Sequence, residues 1–217
     1  MKTTVNLQRR RLLTSSFSFA RPALFIDRDG VLIEDKHYLS DAELVQLCVG
    51  SKEILISAQS LGYPIVVITN QSGIARGYFD WNAYERVTDR LLTLLGAEVA
   101  ISAIYANGYS PTSPDKTWRK PSPGMLLAAT EDLNLDLKHS VLIGDRLCDL
   151  EAGANAGLAT VVHVLSGHGK QERPAVLNAS SNGRFVNHSN HHPKLVLADS
   201  LLECRSNLFS TRKLALE

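Results

Sequence analysis

Cysteine is scarce in this chain, with three residues in 217, at Cys48, Cys148 and Cys204, and no CxxC pair among them. That spacing excludes a zinc site built from cysteine alone, and the count is wrong for a disulfide framework. A reduced, cytosolic protein is the expectation. Charge of one sign is missing too. Twenty-three basic against 22 acidic residues leave +1, which offers no overall attraction to nucleic acid or to an anionic membrane. No apolar run approaches the about 18 residues of a membrane span. A glycine-rich nucleotide loop is also lacking, which argues against a phosphotransferase. Arg9-Arg10-Arg11-Leu12-Leu13 is superficially like an export signal, but Thr14 to Ala20 carries three serines and a threonine and is too polar and short for an apolar signal core. Residues 1–21 are therefore read as a flexible basic tail and 210–217 as a C-terminal tail.

What remains, residues 22–209, is the length of one domain with a sizeable core, and 44% hydrophobic against 21% charged residues is ordinary for a globular protein. Short apolar runs alternate with amphipathic stretches. Strands are predicted at Ala23–Ile26, Ile65–Ile68, Ile101–Tyr105, Val141–Ile143 and Thr160–Val164. Between them, Ile54, Leu55, Ala58 and Leu61 recur at helical spacing and Gly62 stands at a helix C-terminus. Asp80 is placed to cap a helix carrying Tyr84, Val87, Leu91 and Leu94, and Ser122-Pro123 to open another, with Ser as cap. This β-α repetition implies an α/β fold with a doubly wound parallel sheet in three α/β/α layers. Residues 167–193 read as a long polar loop, before a short edge strand at Lys194–Ala198 and a helix from about Ser200.

The chemistry sits at strand ends. Leu24-Phe25-Ile26 stops in Asp27-Arg28-Asp29-Gly30, and the carboxyl edge of an open α/β sheet is where ligands bind. Carboxylates there can attack, exchange protons or hold a hard cation. The second strand ends in Thr69-Asn70-Gln71-Ser72-Gly73, whose amides and hydroxyls suit phosphate oxygens. Arg119-Lys120-Pro121 supplies two cations, and the fourth strand ends in Gly144-Asp145-Arg146 with Asp149 four residues beyond Asp145. Singly, each is an ordinary turn or solvated surface. Together they put two acids, a phosphate cradle, a lysine and a third acid on one sheet edge.

Asp27-x-Asp29-Gly30-Val31, Thr69, Lys120 and Gly144-Asp145-x-x-x-Asp149 resemble, in order and spacing, the four motifs of the haloacid dehalogenase superfamily phosphatases. Thr69 to Gly77 and Arg119-Lys120-Pro121-x-Pro123-Gly124-Met125 narrow the likeness to its histidinol-phosphatase-type branch, over about Ala23 to Val164. The resemblance implies a capless, Mg²⁺-dependent phosphatase of small sugar phosphates. A heptose 1,7-bisphosphate cleaved at its 7-phosphate for ADP- or GDP-heptose synthesis is the foremost substrate, and histidinol phosphate the alternative. It implies Asp27 as nucleophile, Asp29 as general acid and base, and Thr69 and Lys120 as holders of the transferring phosphoryl group. Mg²⁺ would lie between the side chains of Asp27 and Asp145 and the backbone carbonyl of Asp29. Asp149 would support the site or a helix N-terminus. Substrate contacts carried over are Asn70, Gln71, Ser72, Arg119, Arg146 and the loop Asp35, Lys36, His37 and Tyr38. Members of the branch carry a zinc loop of Cys and His ahead of Arg-Lys-Pro. Ala106 to Trp118 has neither residue, so zinc is not expected, and the loop is expected either to be ordered by packing through Trp118 and its prolines or to be more mobile. A monomer without nucleic-acid or membrane partners is implied. A non-catalytic phospholigand-binding protein of the same fold is the alternative of another class. His188, His191 and His192 are read as members of the polar loop rather than a metal site, and His163 as a hydrogen-bonded strand residue.

Overall fold

The computed structural model describes residues 6–185 and 192–209. Seven strands form one sheet: β1 (Gln8–Leu12), β2 (Leu24–Asp27), β3 (Ile65–Asn70), β4 (Ile101–Asn107), β5 (Val141–Gly144), β6 (Thr160–His163) and β7 (Lys194–Leu197). Their spatial order is β1-β4-β3-β2-β5-β6-β7, with β1 antiparallel and the rest parallel. β2 through β6 are apolar runs, as strands covered on both faces must be. Side-chain alternation divides them. Leu24, Ile26, Val67 and Ile143 face one core with α1 (Ser51–Ser60), α2 (Trp81–Leu95) and α6 (Leu201–Phe209). Phe25, Val66, Ile68 and Leu142 face the other, with α3 (Gly124–Leu133), α4 (Leu147–Ala156) and α5 (Gly169–Ser181). The doubly wound three-layer architecture follows. The connection 28–50 holds a short 3₁₀ turn, Ala42–Leu44, and isolated bridges of Ile33 to Asp29 and Leu47, with no inserted cap domain. Among the described residues, no helix is long and apolar enough to cross a membrane.

Local signals act as the sequence indicates at several ends. Asp80 accepts the Ala83 N–H at the start of α2, and Gly62 follows α1 at φ 81°. Three expectations need correction. The basic segment within residues 1–21 is not wholly a flexible tail, because Gln8–Leu12 pairs along β4 in a five-residue ladder. Alternation explains it. Arg9 and Arg11 reach Glu85, and Arg11 also Asp89, all on α2, while Arg10 turns to the opposite face and Asp132 of α3. These exposed ion pairs contribute about 0–1 kcal/mol each, and the ladder covers the edge of β4, itself buried along its whole length. The polar segment 167–193 contains α5, which buries only Val176 and Ala179 of its apolar side chains and has Pro174 inside, so neither periodicity nor composition marks it. α3 begins at Gly124 with Pro123 as its N-cap, one residue later than the Ser122 cap requires, and Ser122 Oγ instead donates to the Thr117 carbonyl. His188, His191 and residues 210–217 lie outside the described residues.

Candidate active site

The chain runs from β2 to β3 on one side and later returns to β5 on the other, so the order reverses at β2 and a crevice opens beyond its carboxyl end. Asp27 is the last residue of β2, Thr69 and Asn70 close β3, and Asp145 follows β5. A cavity of about 650 Å³ stands over Asp27, Thr69 and Asn70, with Asp145 fully buried beneath.

Its floor is charged and buried. Lys120 Nζ lies 2.6 Å from Asp27 Oδ1 and 2.6 Å from Asp149 Oδ1, and donates to the Ile68 carbonyl at 3.2 Å. The lysine main chain is held by Asn70, whose Oδ1 accepts the Lys120 N–H and whose amide donates to its carbonyl. Two carboxylates against the buried ammonium hold its pKa above the ordinary value in spite of burial. Asp149 also accepts the Arg146 N–H at 3.0 Å, the capping contact of α4. Asp27 is 5% exposed, and burial pushes its carboxyl up to about 7, with Lys120 opposing and Asp149 reinforcing. Burial and then the Asp27 charge push Asp145 up to about 8.

Asp29 is built differently. Arg28, 1% exposed, turns back onto its neighbour with Nε and Nη2 donating to the two carboxylate oxygens at 3.1 and 3.0 Å. Gln71 Nε2 at 2.7 Å and Thr69 Oγ1 at 3.1 Å donate to Oδ2 as well. Burial alone would raise this carboxyl, but the guanidinium and these donors outweigh it and hold the pKa below the ordinary carboxylate value. Two carboxylates two residues apart are thus driven in opposite directions by their surroundings, Asp27 by burial and Asp29 by the Arg28 fork.

The donor set fits a divalent cation. Oxygens of Asp27, Asp145 and Asp149 lie within 4.8 Å of one another, and Asp145, fully buried, leaves Oδ1 without a hydrogen-bond partner among the described residues. Three carboxylates against one ammonium leave two negative charges, and hard carboxylate oxygens suit Mg²⁺. Asp149 is engaged by Lys120 and a backbone amide, which leaves Asp27 and Asp145 as the freer ligands. Two glycines make the approach possible. A Cβ on Gly30 (φ 86°) would stand 2.6 Å from Asp145 Oδ2, and one on Gly167 (φ 52°) 2.3 Å from it.

Of the other residues singled out in the sequence, Ser72, Arg119, Arg146, Asp35, His37 and Tyr38 line the cavity. Lys36 does not. It turns outward to Gln46 Oε1 and Glu34, because its neighbours at 35 and 37–38 occupy the inward side of the loop. His163 is a strand residue held at both nitrogens. Arg173 Nε donates to Nδ1, so Nε2 carries the proton and donates to the Asp145 carbonyl at 2.9 Å. The loop 108–118 is tied by Asp115 to Thr117, by Gln8 to the Thr117 hydroxyl, and by Trp118 packing 5.5 Å from Tyr105. Sequence reading missed His168 and Glu172 on the cavity wall and the pairing of Arg28. The first signal available was position, since His168 follows β6 as Asp27 ends β2.

Comparison with known proteins agrees with this geometry. The haloacid dehalogenase-like hydrolase family model matches residues 23–157, and a HAD-hydrolase-like model matches 117–204. The D-glycero-beta-D-manno-heptose-1,7-bisphosphate 7-phosphatase of Mesorhizobium japonicum is 46% identical over 145 residues, 64% of this chain and 67% of its own. The D-glycero-alpha-D-manno-heptose-1,7-bisphosphate 7-phosphatase of Photorhabdus laumondii is 40% identical over 173 residues, 75% and 92% of the two chains. In fold, the crystal structure of D,D-heptose 1,7-bisphosphate phosphatase from B. bronchiseptica, complexed with magnesium and phosphate, matches with a TM-score of 0.73 and 24% identity over 86% of this chain and 97% of that one.

Proposed function

This chain belongs to the haloacid dehalogenase-like hydrolases and is a phosphoric monoester hydrolase, and from that premise we propose that it removes the 7-phosphate of a D-glycero-D-manno-heptose 1,7-bisphosphate through an aspartyl-phosphate on Asp27. The observation that carries the mechanism is geometric: Asp27 ends β2 at the sheet's reversal point, 2.6 Å from the buried Lys120 ammonium, with oxygens of Asp145 and Asp149 within 4.8 Å and Asp29 two residues beyond on the same cavity. A capless cavity of about 650 Å³ has room for a sugar carrying two phosphates.

Asp27 attacks phosphorus, and the bond from phosphorus to the sugar oxygen breaks. Lys120 meets the phosphoryl oxygens where charge spreads in the transition state, and the Thr69 hydroxyl, 3.1 Å from Asp29 Oδ2, lines the same cavity. Asp29 gives its proton to the departing alkoxide. The approaching phosphate dianion favours the protonated form of Asp29, against the hold of Arg28. In the second step the Asp29 carboxylate, restored to the Arg28 fork, takes a proton from the water that opens the acyl phosphate. Asp27 and Asp145, with the Asp29 carbonyl, would hold Mg²⁺, which when bound offsets the repulsion between the nucleophile and a phosphate dianion. Arg119 and Arg146 on the cavity wall supply the cations for a second phosphate.

The test is Mg²⁺-dependent phosphate release from both anomers of heptose 1,7-bisphosphate and from histidinol phosphate, with Asp27→Asn as the blank. Preference for a heptose bisphosphate supports the reading, and preference for histidinol phosphate moves the substrate to the alternative. Activity that survives Asp27→Asn refutes the mechanism.

A further inference from the structure

Two segments far apart in sequence meet on the wall of the cavity: 35–38, after β2, and 166–168, which leads into α5. His168 Nε2 lies 2.7 Å from Asp35 Oδ2, and the His168 N–H donates to Asp145 Oδ2 at 2.7 Å. The other Asp35 oxygen accepts the His37 N–H at 2.9 Å. Between these anchors the loop is strained, because His37 and Tyr38 both lie in the left-handed region, at φ 46° and 55°. Histidine enters this region more readily than most residues, but two successive non-glycine residues there are uncommon and persist where surrounding contacts enforce them. The far end of the loop has its own pin. Arg76 Nη1 donates to the Tyr38 hydroxyl at 2.5 Å, and the Tyr38 ring meets Tyr78 edge-on at 4.6 Å.

The strain does not serve the core. His37 and Tyr38 are exposed, Tyr38 at 42%, and both face the cavity, so the two contorted residues are the ones presented to a ligand. Relaxed packing of an ordinary surface loop needs no such arrangement. Strained residues held from both sides at a cavity mouth belong to ligand clamps.

We propose that His168 is a positioning residue for sugar recognition: through Asp35 it holds residues 35–38 in the conformation that presents His37 and Tyr38 to the substrate's sugar. Its backbone amide simultaneously anchors the buried acid Asp145, so one residue joins the sugar-facing loop to the metal-facing floor. The inference deepens the function proposed for this site and rests on it for the substrate. His168 touches no reacting atom in this role, and its effect passes through the loop.

The experiment compares His168→Ala, His168→Gln, Asp35→Ala and the double alanine variant with wild type. KM and kcat are measured for heptose 1,7-bisphosphate, and amide hydrogen exchange is followed over residues 35–39. His168→Ala should raise KM about tenfold with kcat changed less than about threefold, the scale of losing one charged hydrogen bond. Asp35→Ala should raise KM at least as much, since it also loses the contact to the His37 N–H, and the double variant should be no worse than Asp35→Ala. Exchange over 35–39 should quicken in both single alanine variants and return towards wild type in His168→Gln, whose amide can reach Asp35. Unaltered exchange in His168→Ala, or KM effects that multiply in the double variant, overturns the proposal. Should wild type leave every sugar phosphate intact, the substrate reading falls, while the exchange data still decide whether His168 holds the loop.

Discussion

Replacing Lys120 by methionine tests the electrostatics of the floor, because the side chain stays linear and apolar along its stem while the ammonium and its hydrogen bonds to Asp27 and the Ile68 carbonyl are lost. The Lys120 side chain is 3% exposed and its ammonium stands 2.6 Å from Asp27 and from Asp149. Removing it leaves those two carboxylates and Asp145 within 4.8 Å of one another with nothing to balance them. Breaking a buried pair from one side costs about 3–5 kcal/mol. In a domain of this size each kcal/mol shifts Tm by about 2–4 °C, so Tm should fall by about 6–20 °C at pH 8 in EDTA. At pH 5.5 the fall should be smaller, since Asp27 and Asp145, pushed up to about 7 and 8, then carry protons and the repulsion is largely gone. Adding Asp27→Asn to Lys120→Met should recover at least about 1 kcal/mol relative to additivity. Thermal unfolding by circular dichroism at both pH values gives the stability arm, and phosphate release should fall about 10²–10³-fold for loss of one transition-state donor. A Tm within about 2 °C of wild type at both pH values would refute the claim that the ammonium balances the buried acids.

Mg²⁺ should stabilise the protein more at pH 8.5 than at pH 5.5. The folded pKa values of Asp27 and Asp145 are raised above the unfolded 3.8, so their contribution is present below that value and is lost as pH rises through about 7 and 8. Differential scanning fluorimetry with and without Mg²⁺ reads this directly, and an equal shift at the two pH values would contradict it. Arg28→Met should lower kcat by about 10²-fold through a misdirected Asp29 and move the acid limb of the pH–rate profile to higher pH, because the group that holds the Asp29 pKa down is gone. An unmoved acid limb would show that Arg28 does not tune Asp29. Gly167→Ala should weaken Mg²⁺ binding at least about tenfold, measured by titration calorimetry, since its Cβ would collide with Asp145 Oδ2 at a left-handed backbone position. Unaltered Mg²⁺ affinity there would remove Asp145 from the metal site.

The reaction floor is legible in the amino-acid sequence because its members are local. Asp27, Asp29, Thr69 and Asp145 sit at or one or two residues beyond the ends of apolar strands, and the strand itself dictates where they point. The five central strands and the caps at Asp80 and Gly62 are readable for the same reason: periodicity and capping are set within a few residues. Contacts whose partners lie far along the chain leave no such trace. The triple arginine becomes a strand only when alternation meets Glu85 and Asp89 on one face and Asp132 on the other. The helix at Gly169–Ser181 rests on two buried apolar residues and the contacts its N-terminal residues make with the site, so composition alone reads it as loop. The outward turn of Lys36, the folding of Arg28 back onto Asp29 and the meeting of His168 with Asp35 are likewise decided by tertiary structure. Sequence by itself determined which groups could perform the chemistry, since backbone geometry delivers them to one edge. Tertiary structure alone decided which of them are paired, buried or strained, because charge balance and desolvation depend on neighbours brought together from opposite ends of the chain.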